Sequence, residues 1–115
     1  MKMRFALLLL VGLLPSWANA ADAVLRTSDR ATYDASLIEV AREMGETDAQ
    51  KVLVAIAAYA VGKAEDSKQQ TKHFLSEAAY LKQHPEEFLR RIAPLEGLTG
   101  QEILEAEPPV RPTSH

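Results

Sequence analysis

Cysteine is absent from this chain of 115 residues. Its absence excludes disulfide bonds, thiol catalysis and zinc–thiolate sites, and it leaves no thiol that could carry the lipid of a bacterial lipoprotein. A small domain without disulfides must derive its stability from its hydrophobic core or from a partner subunit.

Clusters of basic residues are also missing. The chain carries 13 lysines and arginines against 16 acidic residues, a net charge of −3. Without residues 1–20, which contain Lys2 and Arg4 and no acid, 11 basic and 16 acidic residues remain and the charge is −5. The only adjacent basic pair is Arg90-Arg91, which we expect on a solvated helix face. Because nucleic-acid binding needs clustered cations at the phosphates, this charge distribution argues against a nucleic-acid partner.

Recognisable catalytic motifs are absent as well. The chain has no G-x-S-x-G, no phosphate-binding loop and no H-E-x-x-H. Besides His115, it has His73 and His84, which would lie roughly 16 Å apart on one helix, too far to share a metal ion. Glu86 and Glu87 are adjacent, so their side chains diverge and do not form a glycosidase pair. We therefore predict no catalytic, cofactor-binding or metal-ligating residue, no cofactor, and no enzymatic activity.

The first twenty residues have the pattern of a bacterial signal peptide. Lys2 and Arg4 form a basic start, residues 5–14 are apolar, and Ala18-Asn19-Ala20 matches a signal-peptidase site. As a helix, the ten apolar residues would span about 15 Å, roughly half of the hydrocarbon core of a bilayer, which argues against the alternative of a membrane anchor. We therefore predict cleavage after Ala20, a periplasmic or secreted mature protein that begins at Ala21, and no stable membrane anchor after cleavage.

The first predicted helix follows an extended lead-in over residues 21–27. Ser28 or Asp29 can cap it, and it runs to about Met44, where Gly45 suits a helix end. The apolar residues that recur along it at helical spacing are Tyr33, Leu37, Val40, Ala41 and Met44. This stripe predicts one buried face.

The second predicted helix begins at a capping box formed by Thr47 and Gln50. From Val52 to Val61 its only polar side-chain group is the hydroxyl of Tyr59. A helix that is apolar on all sides is usually buried on all sides, which predicts a central helix. The alternatives are a subunit interface along one side and a lipid-facing segment, although ten residues are too few to cross a bilayer. We favour partial exposure to a partner, because the chain is short and has no disulfide.

A third helix is predicted from a cap at Ser67 to about Gln83, and residues 64–70 could be loop. Its predicted apolar face consists of Phe74, Leu75, Ala78 and Leu81. Pro85 disfavours the helical conformation at His84 and so ends this helix.

Two further short helices and a tail complete the predicted chain. Pro85 begins the fourth helix, which Pro94 limits. Its buried side consists of Phe88, Leu89 and Ile92, and its expected ion pairs are Glu86–Arg90 and Glu87–Arg91. Thr99 and Glu102 form a capping box for the fifth helix, which ends near Glu105 with Ile103 and Leu104 in the core. Three prolines among the last eight residues predict a disordered tail.

Residues 95–104 read L-E-G-L-T-G-Q-E-I-L. This segment resembles the closing L-x-G-K-T-x-x-E-I-I pattern of a family of small exported bacterial proteins, often lipoproteins, of unknown function. The stretch 34–37 and the alanine-rich run 52–61 are similar to the first two helices of that family, so the resemblance covers most of residues 30–106. The chain differs in having Leu98 at the lysine position and no lipobox cysteine. The resemblance implies a compact helical fold and no particular activity.

Together these patterns predict an all-α bundle of four to five helices over residues 28–106, between a cleaved signal peptide (1–20) and a disordered, proline-rich tail (107–115). The leading functional hypothesis is a non-enzymatic module that binds a protein or an envelope component, or assembles as a homo-oligomer. The alternative is a carrier of a small apolar ligand, with a pocket along the Val52–Val61 helix. An enzyme is a third hypothesis for which the sequence offers no catalytic group.

Overall fold

The computed structural model describes residues 22–113; the predicted signal peptide with its cleavage point after Ala20, and the last two residues, lie outside this range. Residues 22–113 form five α-helices and no β-strand, which confirms the all-α fold class. The helices are α1 (Arg30–Met44), α2 (Glu46–Val61), α3 (Gln70–Gln83), α4 (Pro85–Arg91) and α5 (Gly100–Glu105). Short 3-10 turns at Ser67–Gln69 and Ala93–Leu95 precede α3 and follow α4.

Helix α2 is central, since it packs against each of the other four helices. The hydrophobic core around it consists of Leu25, Tyr33, Val40, Val52, Ile56, Ala60, Val61, Leu81, Ile92, Leu95 and Ile103. On α2 the buried positions 52, 56 and 60 recur every four residues, as expected for one face of a helix. Leu53, Val54 and Ala57 lie on the other side and are exposed. The prediction of a central helix is therefore confirmed, and its burial is confined to one face.

The connection between α1 and α2 is a single residue, Gly45. Its φ of +83° is readily adopted only by glycine, and α2 begins immediately afterwards at Glu46. Thr47 consequently lies inside the first turn, and no described side chain caps α2. The predicted capping box at Thr47 and Gln50 is therefore wrong. The cap of α1 is correct, because the Asp29 carboxylate accepts a hydrogen bond of 2.9 Å from the Thr32 N–H.

Helix α3 is rotated relative to the sequence prediction. Its buried positions are His73, Glu77 and Leu81, whereas Phe74 and Leu75 of the predicted apolar face are exposed. The predicted cap is also wrong, because Asp66 rather than Ser67 accepts from the backbone, at 3.0 Å from the Lys68 N–H. Glu77 on this inward face is paired with Arg91 of α4, as described below.

The lead-in is extended, as predicted, and it is held by the segment before α5. Val24 and Thr99 form an isolated antiparallel bridge. The Leu25 N–H donates to the Leu98 carbonyl at 2.9 Å, and the Gly97 N–H donates to the Leu25 carbonyl at 2.8 Å. The Leu25 side chain is fully buried. Thr99 also caps α5 with the predicted capping box, in which both hydrogen bonds with Glu102 are present.

The last described residues differ from the prediction of disorder. Residues 107–113, here called the C-terminal strap, run in an extended form beside the loop that follows α2. The Lys63 N–H donates to the Pro109 carbonyl at 2.8 Å, and the Arg111 N–H donates to the Lys63 carbonyl at 2.9 Å. Proline excludes a helix here, but an extended segment needs only some of its N–H groups for pairing. The tail prediction is therefore wrong for residues 107–113.

Candidate functional site

The first candidate site is the outer face of α2, here called the α2 face (Leu53, Val54 and Ala57). Leu53 is 46% exposed and Val54 is 68% exposed. Beside it on the same helix, an open and shallow surface is formed by Thr47, Gln50, Lys51, Val54 and Ala55. The central helix thus presents large apolar side chains to solvent, and such surfaces in soluble proteins mark interaction sites when they form a contiguous patch.

The second candidate is a cluster of buried charges between α3 and α4. The Arg91 guanidinium donates to the Glu77 carboxylate at 2.9 Å, to the Glu87 carboxylate at 3.0 Å and to the Ala60 carbonyl at 3.2 Å. Glu77 is fully buried and Arg91 is 8% exposed. The prediction that Arg90-Arg91 forms a solvated face is wrong for Arg91, which neutralises a carboxylate inside the domain.

Arg90 remains on the surface and pairs with Glu87 rather than with the predicted Glu86. The Glu87–Arg91 pair is confirmed. The hydrogen bond from Arg90, supported by Arg91, lowers the pKa of Glu87 from 4.5 to about 2. Glu87 is therefore ionised throughout the neutral and mildly acidic range.

The third candidate surrounds His73 and the C-terminal strap. The ring of His73 is buried; its Nε2 lies 3.0 Å from the Val61 carbonyl oxygen, and its Nδ1 lies 2.6 Å from the Thr113 hydroxyl. A carbonyl oxygen only accepts, so Nε2 carries a proton and donates to Val61. His73 thus fastens the start of α3 to the end of α2.

Arg111 extends this contact from the strap. Its Nη2 donates to the carbonyls of Tyr59 and Arg91, both at 3.2 Å, which lie in the last turns of α2 and α4. Its Nε is buried and has no hydrogen-bond partner among the described residues. Burial, followed by the nearby charge of Arg91, lowers the pKa of Arg111. A cation at the carbonyl ends of two helices is a stabilising arrangement.

The histidines and the adjacent glutamates do not converge on one site. His84 ends α3, where its Nδ1 lies 2.9 Å from the Tyr80 carbonyl oxygen and its ring stacks on the Tyr80 ring. His115 lies outside the described residues. Residues 22–113 contain no group of three side chains that could hold a metal ion. The expected lack of metal, cofactor and catalytic residues stays a prediction.

Sequence reasoning missed the buried cluster and the role of Ser36. The Ser36 hydroxyl accepts from the Arg26 N–H at 2.9 Å and donates to the Tyr33 carbonyl at 3.0 Å, so it ties the lead-in to α1. The sequence signal for the cluster is the four-residue spacing of Glu87 and Arg91, which predicts their ion pair but also occurs on solvated helix faces and does not indicate the burial of Glu77.

Comparison of the chain with protein-family models, with curated proteins and with solved structures gives no significant match. The resemblance to a family of small exported proteins is therefore neither supported nor contradicted. Within residues 22–113, no helix combines the length and apolar character needed to cross a membrane.

Proposed function

We propose that the protein is an exported, non-enzymatic interaction module whose protein or envelope partner binds the α2 face. The observation that carries this proposal is the exposure of Leu53 and Val54 on the central helix. Burial of an apolar side chain of this size in an interface is worth about 1.5–3 kcal/mol. The α2 face therefore offers a stabilisation that the isolated domain leaves unused.

The non-enzymatic part of the proposal is supported by the state of the polar residues. Glu77 and Arg91 are paired with each other, and both ring nitrogens of His73 have partners. These groups hold the helices together. The export part is supported by the signal-like pattern of residues 1–20.

The experiment compares Val54→Asp with Leu75→Asp. Both side chains are exposed to a similar extent, 68% and 65%, but Leu75 lies on α3 rather than on the α2 face. Both variants should fold, as judged by circular dichroism. Self-association is measured by sedimentation, and binding to an envelope component is measured by photo-crosslinking from a crosslinker at position 53. Only Val54→Asp should abolish the interaction that the parent protein shows in these assays. Equal behaviour of the two variants, or a parent protein that neither self-associates nor crosslinks, would contradict the proposal.

Export is tested separately by intact-mass measurement of protein recovered from the periplasm or the medium. A mass that corresponds to residues 21–115 supports cleavage after Ala20. A mass that retains residues 1–20, or recovery only from the cytoplasm, contradicts export without affecting the α2 face.

A second candidate function is carriage of a small apolar ligand along α2. The apolar side chains of Val54 and Ala55 on the shallow surface of α2 favour it, since an apolar ligand would remove them from water. Fluorescence of an apolar dye should then rise on binding, and Ala55→Asp should abolish the rise. A dye signal that survives this substitution would place the ligand elsewhere.

A further inference from the structure

A cleft of about 390 Å³ lies between α1, the end of α3 and the start of α4, on faces that do not include α2. Its floor is apolar and consists mainly of Tyr33, Leu37, Leu81 and Phe88. The rings of Tyr33 and Phe88 pack edge to face, with centroids 5.7 Å apart. Such a floor holds an aromatic or aliphatic group by desolvation and dispersion.

The rim of the cleft carries two cations and one carboxylate, which are Arg30, Lys82 and Asp34. Arg30 and Asp34 form an ion pair of 3.0 Å, and the Arg30 guanidinium lies 5.7 Å from the centre of the Tyr33 ring. Lys82 forms no salt bridge with any residue of the described part of the chain. The rim therefore has an excess of one positive charge in a chain whose net charge is −3.

From this combination we propose that the cleft binds a small amphipathic carboxylate. The apolar group of the ligand lies on the floor, and its carboxylate lies between Lys82 and Arg30, where charge-assisted hydrogen bonds are available. A cation would meet an excess of positive charge, and a neutral ligand would gain no charge-assisted bond from the exposed Lys82. The volume suits a ligand of this kind, since small-molecule sites begin at about 300 Å³.

The test is calorimetric titration of the mature protein with 3-phenylpropionate and with its neutral amide. The acid should bind at least about tenfold more tightly than the amide, because only the acid forms charge-assisted bonds with the rim. Equal affinities, or no binding of the acid at millimolar concentration, would overturn the proposal.

Three substitutions locate the ligand. Lys82→Gln should weaken binding of the acid by about tenfold. Lys72 is an exposed lysine on the same helix outside the cleft, and Lys72→Gln should leave this binding unchanged. Asp34→Asn should tighten binding, because it removes the only rim carboxylate and frees Arg30; a merely structural role of Asp34 would not produce tighter binding. Identical effects of the two lysine variants, or weaker binding by Asp34→Asn, would contradict the site.

A small free acid and the C-terminal residue of a peptide both carry a carboxylate beside an apolar group. A tetrapeptide that ends in phenylalanine, with a free or an amidated terminus, distinguishes these sources. Tighter binding of the free-terminus peptide than of 3-phenylpropionate assigns the cleft to a chain end, and the reverse assigns it to a small acid. Val54→Asp should leave all these affinities unchanged, which separates this test from that of the α2 face.

Discussion

The Glu77 carboxylate and the Arg91 guanidinium form an ion pair of 2.9 Å between α3 and α4 that is almost completely shielded from solvent. This pair holds Glu77 on the inward side of α3. Turning Phe74 and Leu75 inward would carry Glu77 away from Arg91 and leave a buried cation without its main partner, at a cost of several kcal/mol. The loss from exposing two apolar side chains is of similar size, and the polar face is the one that turns inward.

Breaking this pair should be strongly destabilising. We expect Arg91→Met to lose about 3–5 kcal/mol, because it removes the cation that neutralises the buried Glu77 carboxylate. The double variant Glu77→Leu/Arg91→Met should recover most of this loss, since no unpaired charge remains. Urea unfolding at pH 7 measures all variants. Arg90→Met is the matched control on the exposed neighbour and should cost below about 1 kcal/mol; a loss for Arg91→Met as small as this would contradict the structural role of the pair.

The two threonines of the predicted capping boxes should behave differently. Thr99→Ala should cost about 0.5–2 kcal/mol, because its hydroxyl accepts from the Glu102 N–H at 3.2 Å at the start of α5. Thr47→Ala should be nearly neutral, since Thr47 lies within the first turn of α2 and α2 begins one residue earlier. Urea midpoints give the order of the two losses of stability. A larger loss for Thr47→Ala would contradict the start of α2 at Glu46.

Acid should weaken the domain partly through Glu87. The folded pKa of about 2 lies below the ordinary value of 4.5, so the ionised form is favoured in the folded state. This contribution is complete above about pH 5 and is lost as the pH falls towards 2. Glu87→Gln should therefore be less stable than the parent at pH 7 and equally stable near pH 2, in urea unfolding measured across this range. Glu86→Gln, at the exposed neighbouring position, is the matched control variant.

A side chain at Gly100 requires the Met44 side chain to move. A Cβ built at Gly100 would lie 1.9 Å from the Met44 sulfur, where α5 crosses the end of α1. Gly100→Ala should therefore be destabilising, but by less than the about 1–3 kcal/mol of an overpacked rigid core, because the Met44 side chain is flexible. In the background of Met44→Ala the same substitution should cost markedly less. Additive effects in this double-mutant cycle, measured by thermal unfolding, would contradict the close approach.

Local sequence signals were sufficient to predict the starts of α1 and α5. They failed where the structure depends on a residue that is distant along the chain. Asp29 and Thr99 cap their helices as the sequence predicts, because a cap and its N–H partner lie within three residues. The inward face of α3 depends on Arg91, which lies fourteen residues from Glu77 along the chain. Periodicity within α3 places the apolar Phe74 and Leu75 inside, since it contains no information about that cation.

The predictions for the α1–α2 junction and for the C-terminal strap are wrong for related reasons. A glycine with positive φ is compatible with both a helix end and an immediate restart, and the sequence does not choose between them. Proline identifies residues 107–113 as non-helical, which is correct. Whether a non-helical segment is ordered depends on what lies beside it, in this case Lys63 and Val61–Gly62, more than forty positions earlier.

The bridge between Val24 and Thr99 can form only late in the synthesis or export of the chain. These residues are 75 positions apart, so a chain delivered from its N-terminus exposes Val24 long before its partner arrives. Until then, Val24, four residues after the proposed cleavage point, lacks its partner in this bridge. If the leader is removed after Ala20, the order of emergence alone allows its removal to precede closure of the domain.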